Sequence, residues 1–219
     1  MDHSLTLYSY WRSTAAYRVR IALNLLELEY RIEPVHLVHD GGQQHSAEYA
    51  GINPQEMVPT LRDGRRVYTQ SLAIMEYLDE RYADGSRLLP NDPRDRARAR
   101  ALAQLVACEI HPIGNLRVLQ YLESELHADP DQRKQWSRHW IESGFRALEI
   151  LLADHPDTGE FCQGDIPGLA DACLVPQVYN ANRWGVDMQA FPTIGRINAA
   201  CLALEPFQRA SPEQQPDAP

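Results

Sequence analysis

The chain has 219 residues, of which 44% are hydrophobic, and this is enough apolar material for one large or two small domains with a real core. Its formal net charge of -9 argues against nucleic acid as a partner, because phosphate binding relies on a basic surface. No segment approaches the roughly 18 apolar residues of a membrane span, and no basic and then apolar leader opens the chain. We therefore expect a soluble, cytoplasmic protein with no membrane or nucleic-acid partner.

The first part of the chain combines strand and helix patterns. Residues 5–8 are apolar like a buried strand, and from Val19 onward apolar residues recur at helical spacing. Ser13 and Thr14 then fall in the first turn of a helix, where free backbone N–H groups and the helix dipole favour an anion. Ordinary N-capping explains the same two hydroxyls equally well.

Alternating residues and turn signals predict three further strands, at residues 30–37, 58–61 and 66–69. Pro34 indicates that the first of these lies at a sheet edge, and the Asp63-Gly64 turn joins the other two as a hairpin. A polar, glycine-rich loop is expected at residues 39–45. Ser71 is the expected N-cap of the helix that follows.

The rest of the chain is predicted to be helical. Residues 84–92 are typical of a linker, which ends in an Asp92 N-cap with Pro93 at the first helical position. A long helix is predicted from Pro93, with a bend near Pro112, and further helices are predicted over residues 131–152 and 169–184 and from Pro192. The sequence thus predicts an α/β domain over residues 1–83 and an all-helical domain over residues 93–219.

Several smaller patterns have ordinary structural explanations. Alternating arginines at residues 94–100 are expected on a solvated helix face, and residues 211–216 are expected to form a loose tail. The histidines show no metal-ligand spacing, so no metal site is expected. The cysteines contain no CxxC pair, which suits reduced, partly buried thiols at Cys108, Cys162, Cys173 and Cys201.

Five motifs occur in collinear order along the chain: YWRSxxxYRVRIAL, HDGGQQ, NPxxxVPTL, QSLAIxEYL and LADxxLVPQV. Together they resemble the zeta-class glutathione transferases, and more narrowly the maleylacetoacetate isomerases. This resemblance implies a thioredoxin-like domain followed by an all-α domain, which is the glutathione transferase fold. It also implies a homodimer and glutathione as the cofactor.

The resemblance also implies the residues around the glutathione sulfur. Ser13 takes the place of the hydroxyl that hydrogen-bonds the sulfur, with Arg12 before it and Thr14 where a second Ser is usual. Ala15 departs from the family pattern, because many animal members have a Cys at this position. We expect the isomerase chemistry to survive that change, whereas any activity that depends on the Cys is put in question.

Other residues are implied for the remainder of the cofactor. The backbone of Val58, before a cis bond to Pro59, is expected to pair with the cysteinyl unit. Gln70 and Ser71 repeat the anion site at a helix start for the γ-glutamyl carboxylate. Two residues of the polar loop, Gln44 and His39, are implied to bind the glycyl end. An ordinary surface position would account for Gln44 almost as well.

A dicarboxylate substrate would need cationic partners, since each guanidinium can bind a carboxylate with two hydrogen bonds. Arg12, Arg117 and Arg183 are the candidates, although each alone is more simply a solvated or salt-bridged arginine. The resemblance adds His111 and Asn115, which line the substrate and cofactor cleft in bacterial relatives. A histidine in the core beside a helix bend is the alternative for His111.

The implied reaction is the glutathione-dependent cis-trans isomerisation of maleylacetoacetate to fumarylacetoacetate, in tyrosine and phenylalanine catabolism. It proceeds by thiolate addition, bond rotation and elimination. Maleylpyruvate isomerase of gentisate catabolism and a general transferase remain open, since both isomerase substrates carry a maleyl unit. A binding protein on the same fold is the alternative without catalysis. A thiol-disulfide oxidoreductase is excluded because residues 13–16 contain no Cys.

Overall fold

A computed structural model of the chain describes residues 5–84 and 87–219. The chain divides into two compact units, of which the first comprises Met1–Leu88 and Ala203–Pro219 and the second Leu89–Leu202. No helix within the described ranges is long and apolar enough to cross a membrane. The predicted helical domain, residues 93–219, differs from the second unit because the last part of the chain packs with the first unit. Residues 1–4 of the predicted first domain lie outside the described residues.

The first unit contains a mixed four-stranded sheet in the order β2-β1-β3-β4. Its strands are β1 (Leu5–Ser9), β2 (Tyr30–Pro34), β3 (Thr60–Asp63) and β4 (Arg66–Thr69). β1 is parallel to β2 and antiparallel to β3, and β3 and β4 form the predicted hairpin. β2 lies at an edge of the sheet, which confirms the prediction from its proline.

The strand register brings four chain segments to one edge of this sheet. Ser9 pairs with Pro34, Tyr8 pairs with Thr60, and Thr60 pairs with Thr69. The carboxyl ends of β1, β2 and β4 therefore lie beside the amino end of β3. The segments that follow β1, β2 and β4 all leave the sheet there, and the segment before β3 enters it there.

The α-helices in the described part of the chain are α1 (Thr14–Leu25), α2 (Ala47–Ile52), α3 (Ser71–Tyr82), α4 (Pro93–Gln104), α5 (Leu116–Ser124), α6 (Pro130–Ala153), α7 (Leu169–Trp184), α8 (Pro192–Leu202) and α9 (Glu205–Ala210). The predictions for α1, α3, α6, α7 and α8 are confirmed. The helix predicted from Pro93 through a bend near Pro112 is interrupted instead, because α4 ends at Gln104 and α5 begins at Leu116. No helix was predicted between residues 46 and 57, so the sequence missed α2, whose N-cap Ser46 accepts a hydrogen bond from the Tyr49 N–H. Tyr49 is buried, so tertiary packing stabilises α2, which is too short to be stable in isolation.

The start of α3 differs from the prediction by one residue. Gln70 takes the N-cap position with a φ of 70°, and Ser71 is the first helical residue. The reason is that the Ser71 hydroxyl accepts a hydrogen bond from the Arg18 guanidinium, 3.2 Å away, and is buried.

The carboxyl-terminal segment packs against α1 within the first unit. The Arg20 guanidinium is fully buried and donates to the Ala210 carbonyl, 2.9 Å away, and the Asn24 side chain donates to the Pro206 carbonyl. The expectation of a loose tail at residues 211–216 is wrong, because the buried Gln215 side chain donates to two carbonyls of its own segment.

Part of the predicted linker is also packed. The N–H groups of Arg87 and Leu88 both donate to the buried Asp79 carboxylate, at 2.8 and 2.9 Å. Leu88 and Leu89 are buried as well. The remaining linker residues include Gly85 and Ser86, which lie outside the described residues.

The second unit is helical, and it begins at α4 with the predicted Asp92 cap, whose carboxylate accepts from two backbone N–H groups. The chain then forms a π-helical segment, Leu105–Ile110, and a 3-10 turn, His111–Gly114, in which the predicted bend at Pro112 falls. A Cβ at Gly144 of α6 would overlap the Ile110 side chain. The glycine therefore allows α6 to approach the irregular segment closely.

The expectation that the arginines of α4 lie on a solvated face is wrong for Arg98. Its guanidinium donates to the Cys162 carbonyl at 2.7 Å and to the side chains of Thr158 and Gln163 at 2.7 and 2.5 Å. Burial lowers the pKa of Arg98, and the nearby Asp157 carboxylate opposes this shift. The arginine thus fastens the loop between α6 and α7 to α4.

Replacement of this arginine tests its structural role. We expect Arg98→Met to lower the free energy of unfolding by about 2–4 kcal/mol, because several acceptors lose a charged donor. Chemical denaturation measures this change. Arg94→Met, at an exposed position of the same helix, is the control and should change stability by less than about 0.5 kcal/mol. Equal effects of the two substitutions would show that Arg98 contributes no more than a surface residue.

Candidate active site

The predicted glutathione-site residues of the first unit lie in the four segments that meet at one edge of the sheet. They are Arg12, Ser13, Thr14, His39, Gln44, Val58, Pro59, Gln70 and Ser71. The strand register brings the strand-proximal ends of these segments together at this edge. A helix or a helical turn begins in three of these segments. The first backbone N–H groups of a helix have no partner within it, so they are available to a ligand.

Ser13 is the N-cap of α1 and a half-buried residue. Its hydroxyl oxygen accepts a hydrogen bond from the Ala16 N–H, 3.2 Å away, and its own N–H donates to the Tyr10 carbonyl at 2.9 Å. The hydroxyl keeps a proton with which to donate a second hydrogen bond. Thr14 is buried as the first helical residue. Ser13 therefore both caps the helix and can donate to an anion at its positive end.

Two residues that the sequence did not single out hold the loop before Ser13. The buried Arg20 guanidinium donates to the Ser9 hydroxyl at 3.1 Å and to the Trp11 carbonyl at 3.0 Å. The Trp11 N–H in turn donates to the Asp217 carboxylate at 2.9 Å. The Arg12 guanidinium lies over the Trp11 ring, 5.2 Å from its centroid. The only signal for Arg20 was its place in an otherwise apolar helix.

Val58 lies in a buried cluster with Tyr8, Tyr10, Val35 and Tyr49, which packs the loop after β1 against the segment before β3. The Val58–Pro59 peptide bond is cis, as the family resemblance implies. Within the described residues, neither the N–H nor the carbonyl of Val58 has a hydrogen-bond partner. This backbone edge therefore fits an extended peptide ligand.

Gln44 is buried, with 5% of its surface exposed. Its amide nitrogen lies 3.0 Å from His45 Nε2, whereas its amide oxygen is buried with no partner in the described part of the chain. Gly42 has a φ of 103°, and a Cβ there would lie 2.5 Å from the Gln44 amide nitrogen. Gln44 is therefore not the ordinary surface glutamine that was the alternative to a binding role, and its unpaired oxygen fits an N–H donor on a ligand.

Two residues at the amino end of α3 were predicted to bind a carboxylate. The exposed Gln70 side chain donates to the Gln55 side chain at 3.0 Å. The Ser71 hydroxyl accepts from Arg18 and keeps its own proton to donate to an anion. The backbone N–H groups and the positive dipole at the helix start favour the same anion.

His39 is linked to the loop before Ser13 by aromatic rings. Its exposed ring stacks on His36 with centroids 3.6 Å apart, and His36 meets the edge of Tyr10 at 4.8 Å. The His39 N–H also donates to His36 Nδ1 at 2.9 Å. His36 therefore positions His39.

The remaining predicted residues belong to the second unit. Asn115 is the N-cap of α5, accepts from the Arg117 N–H at 3.3 Å, and has its amide nitrogen 3.4 Å from His111 Nε2. The Trp136 indole donates to the Ile113 carbonyl at 2.9 Å and fixes the same turn. The structure thus brings His111 and Asn115 together, with the exposed Arg117 beside them.

Arg183 lies near the carboxyl end of α7. Its guanidinium donates to the Asn180 side chain at 3.4 Å and lies 5.5 Å from the centroid of the Trp184 ring. The side chain is largely exposed, so it can bind a carboxylate from solvent.

Comparison with known proteins agrees with this geometry. A family model of the glutathione S-transferase N-terminal domain matches residues 7–87. The chain is 51% identical to a probable maleylacetoacetate isomerase of Vibrio cholerae, over 98% of this chain and 99% of the relative. Among solved structures, a bacterial zeta-class maleyl pyruvate isomerase has a TM-score of 0.94 at 44% identity, with 98% of this chain and 100% of that chain covered.

A second solved structure is the maleylacetoacetate isomerase of Methylobacterium extorquens with bound malonate and glutathione. It has a TM-score of 0.93 at 43% identity, over 98% of this chain and 99% of that chain. The fold, a thioredoxin-like unit and a helical unit, is that of a glutathione transferase. The chain belongs to the zeta class of the glutathione transferase family, together with these isomerases.

Proposed function

We propose that this protein is a glutathione-dependent isomerase that converts maleylacetoacetate to fumarylacetoacetate, within tyrosine and phenylalanine catabolism. The observation that carries the proposal is the position of the Ser13 hydroxyl. It lies at the amino end of α1, at the sheet edge that the other candidate glutathione-binding segments share. The 51% identity to a probable maleylacetoacetate isomerase over almost the full chain supports the choice of substrate.

Glutathione fits the residues of this edge. It is a peptide with a thiol and two carboxylates, and the unpaired groups of Val58 and Gln44 are peptide-binding groups. The amino ends of α1 and α3 favour its anionic groups. When bound, glutathione supplies a thiolate that adds to the maleyl double bond and leaves again after rotation.

Ser13 would keep the sulfur ionised. A thiol with a pKa of about 8.5 is only roughly 3% ionised at pH 7, and a pKa lowered by about two units makes the thiolate predominate. That shift corresponds to roughly 2.7 kcal/mol, which a helix amino end and one hydroxyl donor together can supply. Arg20 and Asp217 hold the loop before Ser13 in place for this task.

The arginines would bind the two carboxylates of the substrate. Arg12 in the first unit and Arg117 and Arg183 in the second carry guanidinium groups that are half-exposed or exposed. They orient the carboxylates and counter the negative charge that develops on the substrate. We assign His111 to both the substrate and the cofactor, and Asn115 to the cofactor. The malonate in the M. extorquens relative supports a preference for dicarboxylates.

We further propose a cytoplasmic homodimer. The family resemblance supports the dimer. The four cysteines, none of which forms a disulfide within the described residues, support a reducing compartment. Sedimentation equilibrium tests the assembly, since a dimer has twice the chain mass of 24.9 kDa and a monomer would contradict the proposal.

Maleylpyruvate isomerisation is the second candidate, because the zeta-class maleyl pyruvate isomerase covers nearly the whole chain at 44% identity. The site residues above would serve both substrates, since each carries a maleyl unit. Only a direct comparison of the two substrates separates the candidates.

The isomerase assay compares maleylacetoacetate with maleylpyruvate, with and without glutathione. We expect faster turnover of maleylacetoacetate and no turnover without glutathione. Ser13→Ala should lower kcat/KM by about 100-fold, as loss of one preorganised donor does. Asp129→Ala, which removes the N-cap of α6, controls for loss of a helix cap and should retain activity.

Other outcomes of this assay would change the assignment. Faster turnover of maleylpyruvate would favour the second candidate function, maleylpyruvate isomerisation. Glutathione binding without isomerisation of either substrate would exclude both, and would leave a conjugating or binding function.

A second test addresses the arginines through inhibition by malonate. Arg183→Met should raise the inhibition constant of malonate by about tenfold or more, because a charged hydrogen-bonding partner of a carboxylate is lost. Arg138→Met is the control, since Arg138 pairs with Glu142 on the surface of α6. An unchanged constant in Arg183→Met would remove that residue from the site.

A further inference from the structure

The two glutamines assigned to opposite ends of glutathione are both linked to one short loop, residues 53–57. Gln70 donates directly to the Gln55 side chain at 3.0 Å. Gln44 is linked through His45, which lies 3.0 Å from the Gln44 amide nitrogen and whose Nδ1 lies 2.5 Å from the Glu56 carboxylate. Gln55 and Glu56 are adjacent in the chain, so one loop reaches Gln70 directly and Gln44 through His45.

This loop is itself firmly held. Asn53 is 1% exposed, and its amide nitrogen donates to the Met57 carbonyl at 2.8 Å and to the Thr60 hydroxyl at 3.1 Å. Its amide oxygen accepts from the Gln55 N–H at 3.0 Å. The Tyr49 hydroxyl donates to the same Met57 carbonyl at 2.7 Å. Buried hydrogen bonds thus join the loop to α2 and to the start of β3.

The chemistry of the contacts sets the orientation of Gln44. A carboxylate only accepts hydrogen bonds, so the proton between His45 and Glu56 resides on Nδ1. In the neutral ring, Nε2 is then an acceptor, and it receives the Gln44 amide N–H. The Gln44 oxygen is consequently turned away from His45, as the buried and unpartnered atom described above. The ring therefore determines that Gln44 presents an acceptor to its ligand.

Fold stability does not require these contacts. The side chains of His45 and Glu56 are 52% and 40% exposed, and exposed pairs contribute little to the free energy of folding. The contact between Gln55 and Gln70 is exposed as well. What these contacts fix is the direction of two glutamine side chains.

We propose that His45, Gln55 and Glu56 are positioning residues for glutathione. Glu56 and His45 orient the Gln44 amide toward an N–H donor at the glycyl end, and Gln55 orients Gln70 at the γ-glutamyl end. The inference rests on the proposed function, because that function assigns the two glutamines to the cofactor.

Calorimetric titration of the full-length protein with glutathione tests the inference without a catalytic assay. His45→Ala, Glu56→Ala and Gln55→Ala should each raise the Kd by about 3- to 10-fold, as loss of one hydrogen bond does, with an unchanged unfolding temperature. Glu56→Gln keeps an acceptor and should restore most of the affinity. His155→Ala removes a comparable exposed histidine, paired with Asp157 in the second unit, and should leave the Kd unchanged.

A truncated ligand separates positioning from a general structural effect. γ-Glutamylcysteine lacks the glycyl residue, so His45→Ala should leave its Kd unchanged, whereas Gln55→Ala should raise it. Double substitutions give the same separation. His45→Ala should add nothing in a Gln44→Ala background, and Gln55→Ala should add nothing in a Gln70→Ala background.

Two kinds of result would overturn the inference, and they have different consequences for the proposed function. If Gln44→Ala and Gln70→Ala weaken glutathione binding but His45→Ala and Gln55→Ala do not, or if the double substitutions are additive, the positioning role is wrong and the proposed function stands. If Gln44→Ala and Gln70→Ala leave the Kd unchanged, the assigned glutathione site fails and the positioning role fails with it.

Discussion

The antiparallel register between β1, β3 and β4 is the constraint on which the candidate site depends. Because Tyr8 pairs with Thr60 and Thr60 with Thr69, the chain leaves β1 and β4 at the point where it enters β3. All five residues of β1 are buried, so a shift of one residue would move each side chain to the opposite face of the sheet and disturb the packing on both faces. The loop before Ser13, the Val58 backbone and the start of α3 meet at this edge as a direct result.

A second level of organisation holds the loops at this edge in place. Arg20 is fully buried and donates to the Ser9 hydroxyl and to the carbonyls of Trp11 and Ala210. A buried guanidinium is tolerated only where its N–H donors are satisfied, and these oxygens satisfy them. The carboxyl-terminal segment therefore belongs to the glutathione-binding unit structurally, and Asp217 extends this support to the backbone before Ser13.

The sequence predicted features that depend on local pattern, and missed those that depend on distant partners. The α1 start, the hairpin and the Asp92 cap follow from spacing, turn residues and capping chemistry, and all three are present. The partners of Arg98 lie about sixty residues further along the chain, so no local pattern could reveal them. Likewise, the residues around Gln44 are individually ordinary polar residues, and only the folded loop connects them.

We propose that Ser13 and the amino end of α1 stabilise the thiolate of bound glutathione, and ultraviolet absorbance of this thiolate against pH measures the effect. We expect the bound thiol to have a pKa about two units below the ordinary value of about 8.5, and Ser13→Ala to reverse most of this shift. A bound thiol that titrates like free glutathione in the wild-type protein, or an unchanged titration in Ser13→Ala, would show that Ser13 does not stabilise the thiolate.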